Sequence, residues 1–278
     1  MIVKQMLCLT MATLSSTAYV SANETATIDM SSPTEAYTAF GLGYGNDGFS
    51  LKTMFMTSKP GDERNSGFIF EVNDITDKDG GKPKFSGISS DGLSPQFKDE
   101  TTNTNFRFRY GSVNTTNGIG KMIDAIVKDH PFYGTTVVVQ AGALATIPVS
   151  DNAYIWPVIL LGGVVMEDNT GQLVGEHAVA TRSSGMDWAS TIFSAKIYAR
   201  YKFNDAWWLL GAWTYTDELM GKDWSDSIRD GGLELSPQQI EITLGYQITS
   251  KQNLRLSFHS YSKSGGSDRV WLEYNYAF

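Results

Sequence analysis

The chain has 278 residues, a formal charge of −8 and one cysteine. That balance argues against nucleic acid as a partner, and a lone cysteine leaves no intramolecular disulfide to staple the fold. After the N-terminus no stretch offers about 18 continuous apolar residues, so no transmembrane helix is expected; the nearest candidate, 153–166, is short and contains Pro157.

The N-terminus reads as an export signal. Lys4 supplies the positive start, 6–14 the short apolar core, and Val20-Ser21-Ala22 a small-residue cleavage site. The expected division is a signal peptide at 1–22, a polar periplasmic segment at 23–35 and a folded unit at 36–278. Cys8 leaves with the signal. An exported chain without disulfides must rely on its own hydrogen bonding and packing.

From Ala36 onward the chain alternates with a period of two, the repeat of a β-strand. Runs at 36–45 and 48–57 flank Asn46-Asp47-Gly48, which supplies the positive-φ positions of a tight hairpin. Phe40, Leu42 and Tyr44 share one face of the first run, opposite Gly41, Gly43 and Gly45. The run at 66–75 sets Phe68, Phe70 and Val72 against Ile69 and Glu71. Residues 76–103 read poorly, with a weak strand candidate at 84–90. At 104–113, Phe106, Phe108 and Tyr110 alternate with Asn105, Arg107 and Arg109, which suits a wall between lipid and water. The stretch 118–130 changes period. Ile119, Met122, Ile123, Ile126 and Val127 follow helical spacing up to Pro131, which predicts a short amphipathic helix in a loop. Alternation returns at 135–147, 154–166 and 188–203. The last of these places Lys196, Arg200 and Lys202 opposite Ile197, Tyr201 and Phe203. Further runs follow at 207–215, 238–249, 253–262 and 268–278.

In the final run Val270, Leu272, Tyr274, Tyr276 and Phe278 oppose Arg269, Trp271, Glu273, Asn275 and Ala277. Apolar-out, polar-in alternation over about ten residues is what a transmembrane strand requires. The ending resembles the closing strand of bacterial outer-membrane β-barrels, where a terminal Phe preceded by alternating aromatics is the assembly signal. Together with the export signal, the whole mature chain resembles that class. The resemblance implies an all-β, antiparallel transmembrane β-barrel in the outer membrane of a Gram-negative bacterium. It further implies contact with outer-membrane lipid and lipopolysaccharide, and recognition of the strand ending in Phe278 by the barrel-assembly machinery. A monomer is expected. Such barrels have even strand counts. Eleven runs are clear and 84–90 would make twelve; ten remain possible if the first hairpin is one bent strand. Counting back from a periplasmic Phe278 makes 147–152, 203–207 and 249–253 short periplasmic turns. It makes 114–133, 167–187, 217–237 and 263–267 outer loops.

Three constellations could carry function. The alternation points Lys52, Arg107, Arg109, Lys196, Arg200 and Lys202 inward, with Arg255 and Arg269; only Glu71, Glu241 and Glu273 oppose them. A basic wall would line the pore and favour anions, and a lumen of interlocked ion pairs is the alternative. The excess acid then falls in outer loops, above all at Asp217, Glu218, Asp223, Asp226, Asp230 and Glu234. The second constellation is an apolar inner sector. Tyr154, Trp156, Val158 and Leu160 share it with Val138, Trp208 and Leu210. Either the 119–127 helix packs there as a plug, or an apolar solute passes. The third is a polar rim cluster of His259, Glu241 and Tyr261, with His259 opposite Trp271. The local patterns of outer-membrane lipases and rim proteases are not matched around His259. No metal-ligand spacing, P-loop or dinucleotide fingerprint occurs, so no cofactor is expected. The expected function is a narrow, porin-like passive channel with a basic lumen. The alternatives are a plugged surface-interaction barrel working through acidic outer loops, and a rim lipid hydrolase using His259.

Overall fold

The computed structural model describes residues 28–46, 48–59, 61–75, 84–88, 95–98, 104–130, 134–174, 177–221, 238–261 and 268–278. The expected signal peptide and the acidic stretch 222–237 lie outside them.

Twelve antiparallel strands close into a barrel. In chain order they are β1 (Ala39–Gly45), β2 (Gly48–Met56), β3 (Arg64–Asn73), β4 (Asn105–Asn114), β5 (Ile119–His130) and β6 (Gly134–Ala145), then β7 (Ala153–Val174), β8 (His177–Lys202), β9 (Trp207–Gly221), β10 (Gln238–Thr249), β11 (Gln252–Tyr261) and β12 (Arg269–Ala277). Each pairs with the next, and β12 returns to β1 through Tyr274↔Leu42 and Glu273↔Gly43. Closure pairs the strands on both sides, which is how a sheet can sit in hydrocarbon without orphan backbone groups. Asn46 latches the seam. Its Nδ2 donates to Asp268 O at 2.8 Å and its Oδ1 accepts from Val270 N at 2.9 Å.

Alternation decides which residues face out. Phe40, Leu42 and Tyr44 are exposed while Gly41 and Gly43 are buried. On β12, Val270, Leu272 and Tyr274 are exposed while Glu273, Asn275 and Ala277 are buried. On β8, Ile197 and Tyr201 face out while Ser194, Lys196 and Arg200 are buried. Exposed aromatics gather near both rims: Tyr201, Phe203, Trp207 and Phe278 at the end holding the termini, Tyr44, Phe49 and Trp188 at the other. Trp188 faces out because a bulge at Val164/Val165 shifts its register.

The stretch expected to be a helix is strand β5. It leaves a tight turn in which Asn114 Oδ1 accepts from the amides of Thr116 and Asn117, both at 2.9 Å, and Gly118 takes φ +71°. The misleading spacing has a physical cause. Ile119, Ile123 and Val127 are exposed on the outer face, while Met122 and Ile126 pack on apolar clusters inside the barrel. Two rows with a four-residue repeat, one on each face, reproduce helical spacing. β5 is therefore the twelfth strand. Lys84–Ile88 instead pairs with Pro95–Lys98 in a separate two-stranded sheet. The first hairpin is two strands, which removes the ten-stranded alternative. The expected loop at 114–133 resolves into the 115–118 turn at the termini end plus a connection at the other. The expected loop at 167–187 is not a loop. β7 and β8, 22 and 26 residues long, stay paired from Ala153↔Tyr201 to Val174↔His177. About ten residues suffice to cross hydrocarbon, so this hairpin extends past the far end of the ring.

Candidate functional site

The lumen has two unlike halves. From β5 to β9 the wall carries an apolar patch set among the inward-facing charges of Asp124, Lys196 and Arg200. Trp156, Val158 and Leu160 are fully buried, and Met122, Tyr198 and Leu210 pack on them. Trp208 is buried flat on Gly245, where even a Cβ would overlap the indole. From β10 round through β1 to β4 the wall is charged. Between the halves lies a cavity of about 260 Å³.

The cations of the charged half are paired. Lys52 Nζ lies 2.7 Å from Glu273 Oε2 and 3.5 Å from Glu71 Oε1. Arg109 Nη2 donates to Glu71 Oε2 at 2.7 Å. Arg107 grips Asp124 with two bonds, 2.9 Å from Nε and 2.7 Å from Nη2, and Lys196 Nζ reaches the same carboxylate at 3.1 Å. Arg269 pairs with Asp74, which also accepts from Asn105 Nδ2 at 2.8 Å. Arg255 Nη1 lies 3.7 Å from Glu273, with its guanidinium 5.4 Å over the Trp208 ring. Among the described residues, five cations line the cavity, Lys52, Arg107, Arg109, Arg255 and Arg269, and five carboxylates face them, Glu35, Glu71, Asp74, Glu241 and Glu273, so their formal charges balance with His259 neutral.

The lumen ends on the chain's own N-terminal segment. Residues 28–38 turn into the termini end, and Met30, Ser31 and Tyr37 are buried there. Arg200 Nη1 donates to Asp29 Oδ2 at 2.6 Å and to Ser31 Oγ at 2.7 Å, and Lys202 Nζ lies 3.1 Å from Asp29. Arg255 Nη2 donates to Met30 O at 2.7 Å and reaches Tyr37 Oη at 3.3 Å. Burial raises the Asp29 carboxyl, but the hydrogen bonds from Ser31, Arg200 and Lys202 and the Arg200 charge outweigh it, and its pKa is lowered. Glu35 moves the other way. Burial, then the Asp29 charge, raises its pKa against the pull of Arg200 and Lys202.

All eight cations singled out in the sequence face the interior, Lys202 against Asp29 among them, but they form no continuous basic wall. Lys52, Arg107, Arg109 and Arg269 belong to the charged half. Lys196 is drawn to Asp124, and Arg200 and Arg255 hold the N-terminal segment. The carboxylates that neutralise them include three the sequence reading did not place inside. Asp124 was hidden by the helical reading of β5; strand parity would have turned it inward. Asp29 sits in a segment without period, and Asp74 lies at the end of the 66–75 run on the outward parity, which it leaves because the strand ends at Asn73 and Asp74 takes φ +60°. The rim cluster does assemble. His259 Nε2 lies 2.7 Å from Glu241 Oε2, and its ring meets Tyr261 and Trp271 edge-on at 6.3 and 4.9 Å. The backbone partner of His259 on β12 is Arg269 rather than Trp271. The Ser257 hydroxyl bonds Thr243 Oγ1 at 2.8 Å.

No family model matches the chain, and no curated protein matches it. Solved structures do. An outer-membrane channel from Pseudomonas putida F1 is similar over 90% of this chain and 98% of that one, at 12% identity and a TM-score of 0.53. The NanC porin aligns over 87% and 98% at 6% identity and a TM-score of 0.48. The translocator domain of autotransporter NalP from Neisseria meningitidis aligns over 87% of both chains at 9% identity and 0.46. At these identities the likeness concerns the fold alone, and the Pseudomonas channel carries it. The chain has the closed antiparallel barrel architecture of bacterial outer-membrane channels.

Proposed function

We propose that this protein is a narrow outer-membrane channel whose lumen is closed at the termini end by its own N-terminal segment. The observation that carries the reading is the ion-paired seat of residues 28–38 on Arg200, Lys202 and Arg255, beneath a cavity lined by both wall halves. An outer-membrane location fits the apolar outward face and the export signal. Outer-membrane lipid and lipopolysaccharide are then its surroundings, and the barrel-assembly machinery its partner during insertion, through the strand ending in Phe278. The balanced charge of the cavity supports weak ion selectivity in place of an anion preference. Under this reading Arg200 and Arg255 are holders of the segment rather than a selectivity filter.

Planar-bilayer recording of the refolded, heat-modifiable chain tests this. The intact protein is expected to show rare, brief openings. Asp29→Ala, which leaves Arg200 and Lys202 without their carboxylate, is expected to open often. A barrel that inserts yet stays silent in both forms rejects the channel and favours the surface-interaction alternative.

A further inference from the structure

The cavity has an apolar patch on one side and a charged wall on the other. Met122, Tyr198 and Leu210 present half-buried apolar surface from β5, β8 and β9. Across from them, Lys52, Glu71 and Glu273 alternate in sign within ion-pair distance. Among the described residues, cationic and anionic side chains line the space in equal number. A solute with one net charge would leave its water for a site with no net countercharge, which is costly. A solute carrying both signs, or neither, can match adjacent donors and acceptors without that cost. The apolar half in turn rewards a solute with a compact apolar body. The cavity reaches Asn46 and Arg269 at the far rim as well as Met30 at the termini end, so a ligand has an approach that does not require the N-terminal segment to move.

We infer that the cavity binds small, net-uncharged amphiphiles, a zwitterionic or neutral polar group on one apolar ring-sized body, and that this is the solute class of the channel. The inference rests on the channel reading above.

Two experiments test it. Proteoliposomes carrying Asp29→Ala are exposed to phenylalanine, phenylacetate, phenethylamine and serine, and swelling is followed. Phenylalanine is expected to enter about tenfold faster than either singly charged analogue, equivalent to roughly 1.4 kcal/mol. It should also outpace the smaller serine. Met122→Gln with Leu210→Gln should shrink its advantage over serine. Entry ordered by size alone, or fastest for phenylacetate, overturns the inference and leaves the channel intact. Entry of no probe through an inserted barrel rejects the channel itself. The unmodified protein provides the second arm. Ring-fluorinated phenylalanine should show fluorine line broadening that unlabelled phenylalanine reverses, while fluorophenylacetate should not. Absence of broadening, or equal broadening of both, overturns the inference even if Asp29→Ala fails to fold.

Discussion

At the scale of single residues, Asp124 does the most. It is 2% exposed, and it answers both Arg107 and Lys196. Removing one member of such a group strands the others in a low-dielectric wall, a loss of about 3–5 kcal/mol. Asp124→Ala should therefore lower the urea midpoint of the refolded barrel sharply. The triple variant Arg107→Met, Asp124→Leu, Lys196→Met should recover most of that loss, because no charge is left stranded. An unchanged midpoint for Asp124→Ala would show that water reaches the pair freely. Gly245 makes a steric counterpart. The Trp208 indole occupies the space of a Cβ, so Gly245→Ala must displace a buried ring and should cost about 1–3 kcal/mol. Circular dichroism in the near ultraviolet would register the shifted indole, and an unaltered spectrum with unaltered stability would contradict the packing.

At the scale of elements, the sequence is legible where one face of a strand is polar. β1, β4, β8 and β12 carry such contrast, and their outward residues are those that alternation selects. Legibility fails where the lumen itself is apolar. β5 faces the Trp156 and Val138 clusters through Met122 and Ile126, so apolar residues stand on both of its faces, charged residues interrupt both, and the period of two vanishes. The same loss of contrast hid Asp124 and left the lumen looking more basic than it is. The N-terminal segment failed for another reason. Its seat depends on Asp29, the Met30 carbonyl and the Tyr37 hydroxyl, three groups with no repeat to announce them. A charge scan separates the two readings of β5. In a bilayer-spanning strand Ile123→Arg faces hydrocarbon and should cost about 2–4 kcal/mol near the midplane, while in an exposed loop helix it would cost almost nothing. Unfolding in lipid vesicles gives the answer, and a loss well below 1 kcal/mol would return β5 to a position outside the membrane.

At the scale of the molecule, the barrel is a closed ring around a charged cavity and an N-terminal segment seated on Arg200, Lys202 and Arg255. The segment's two carboxylates titrate in opposite senses, which gives the assembly a pH dependence with a definite shape. The Asp29 pKa is lowered by its partners, so its contribution to the seated state is complete above the ordinary carboxylate value. It is lost as pH falls through the depressed one. The Glu35 pKa is raised by burial and by Asp29, so the seated state favours its protonated form. That contribution is complete below the ordinary value and lost as pH rises through the raised one. The segment is therefore held best in a mildly acidic window between the two titrations. Open probability, recorded from about pH 3 to 8, should pass through a minimum. Its acid limb should be the larger, because protonating Asp29 releases both Arg200 and Lys202. Asp29→Asn should leave the channel open across the range and abolish the acid limb. Glu35→Gln should flatten the rise on the alkaline side alone. A profile with no minimum in the intact protein, or an acid limb that survives Asp29→Asn, would mean that the segment is held by contacts other than these.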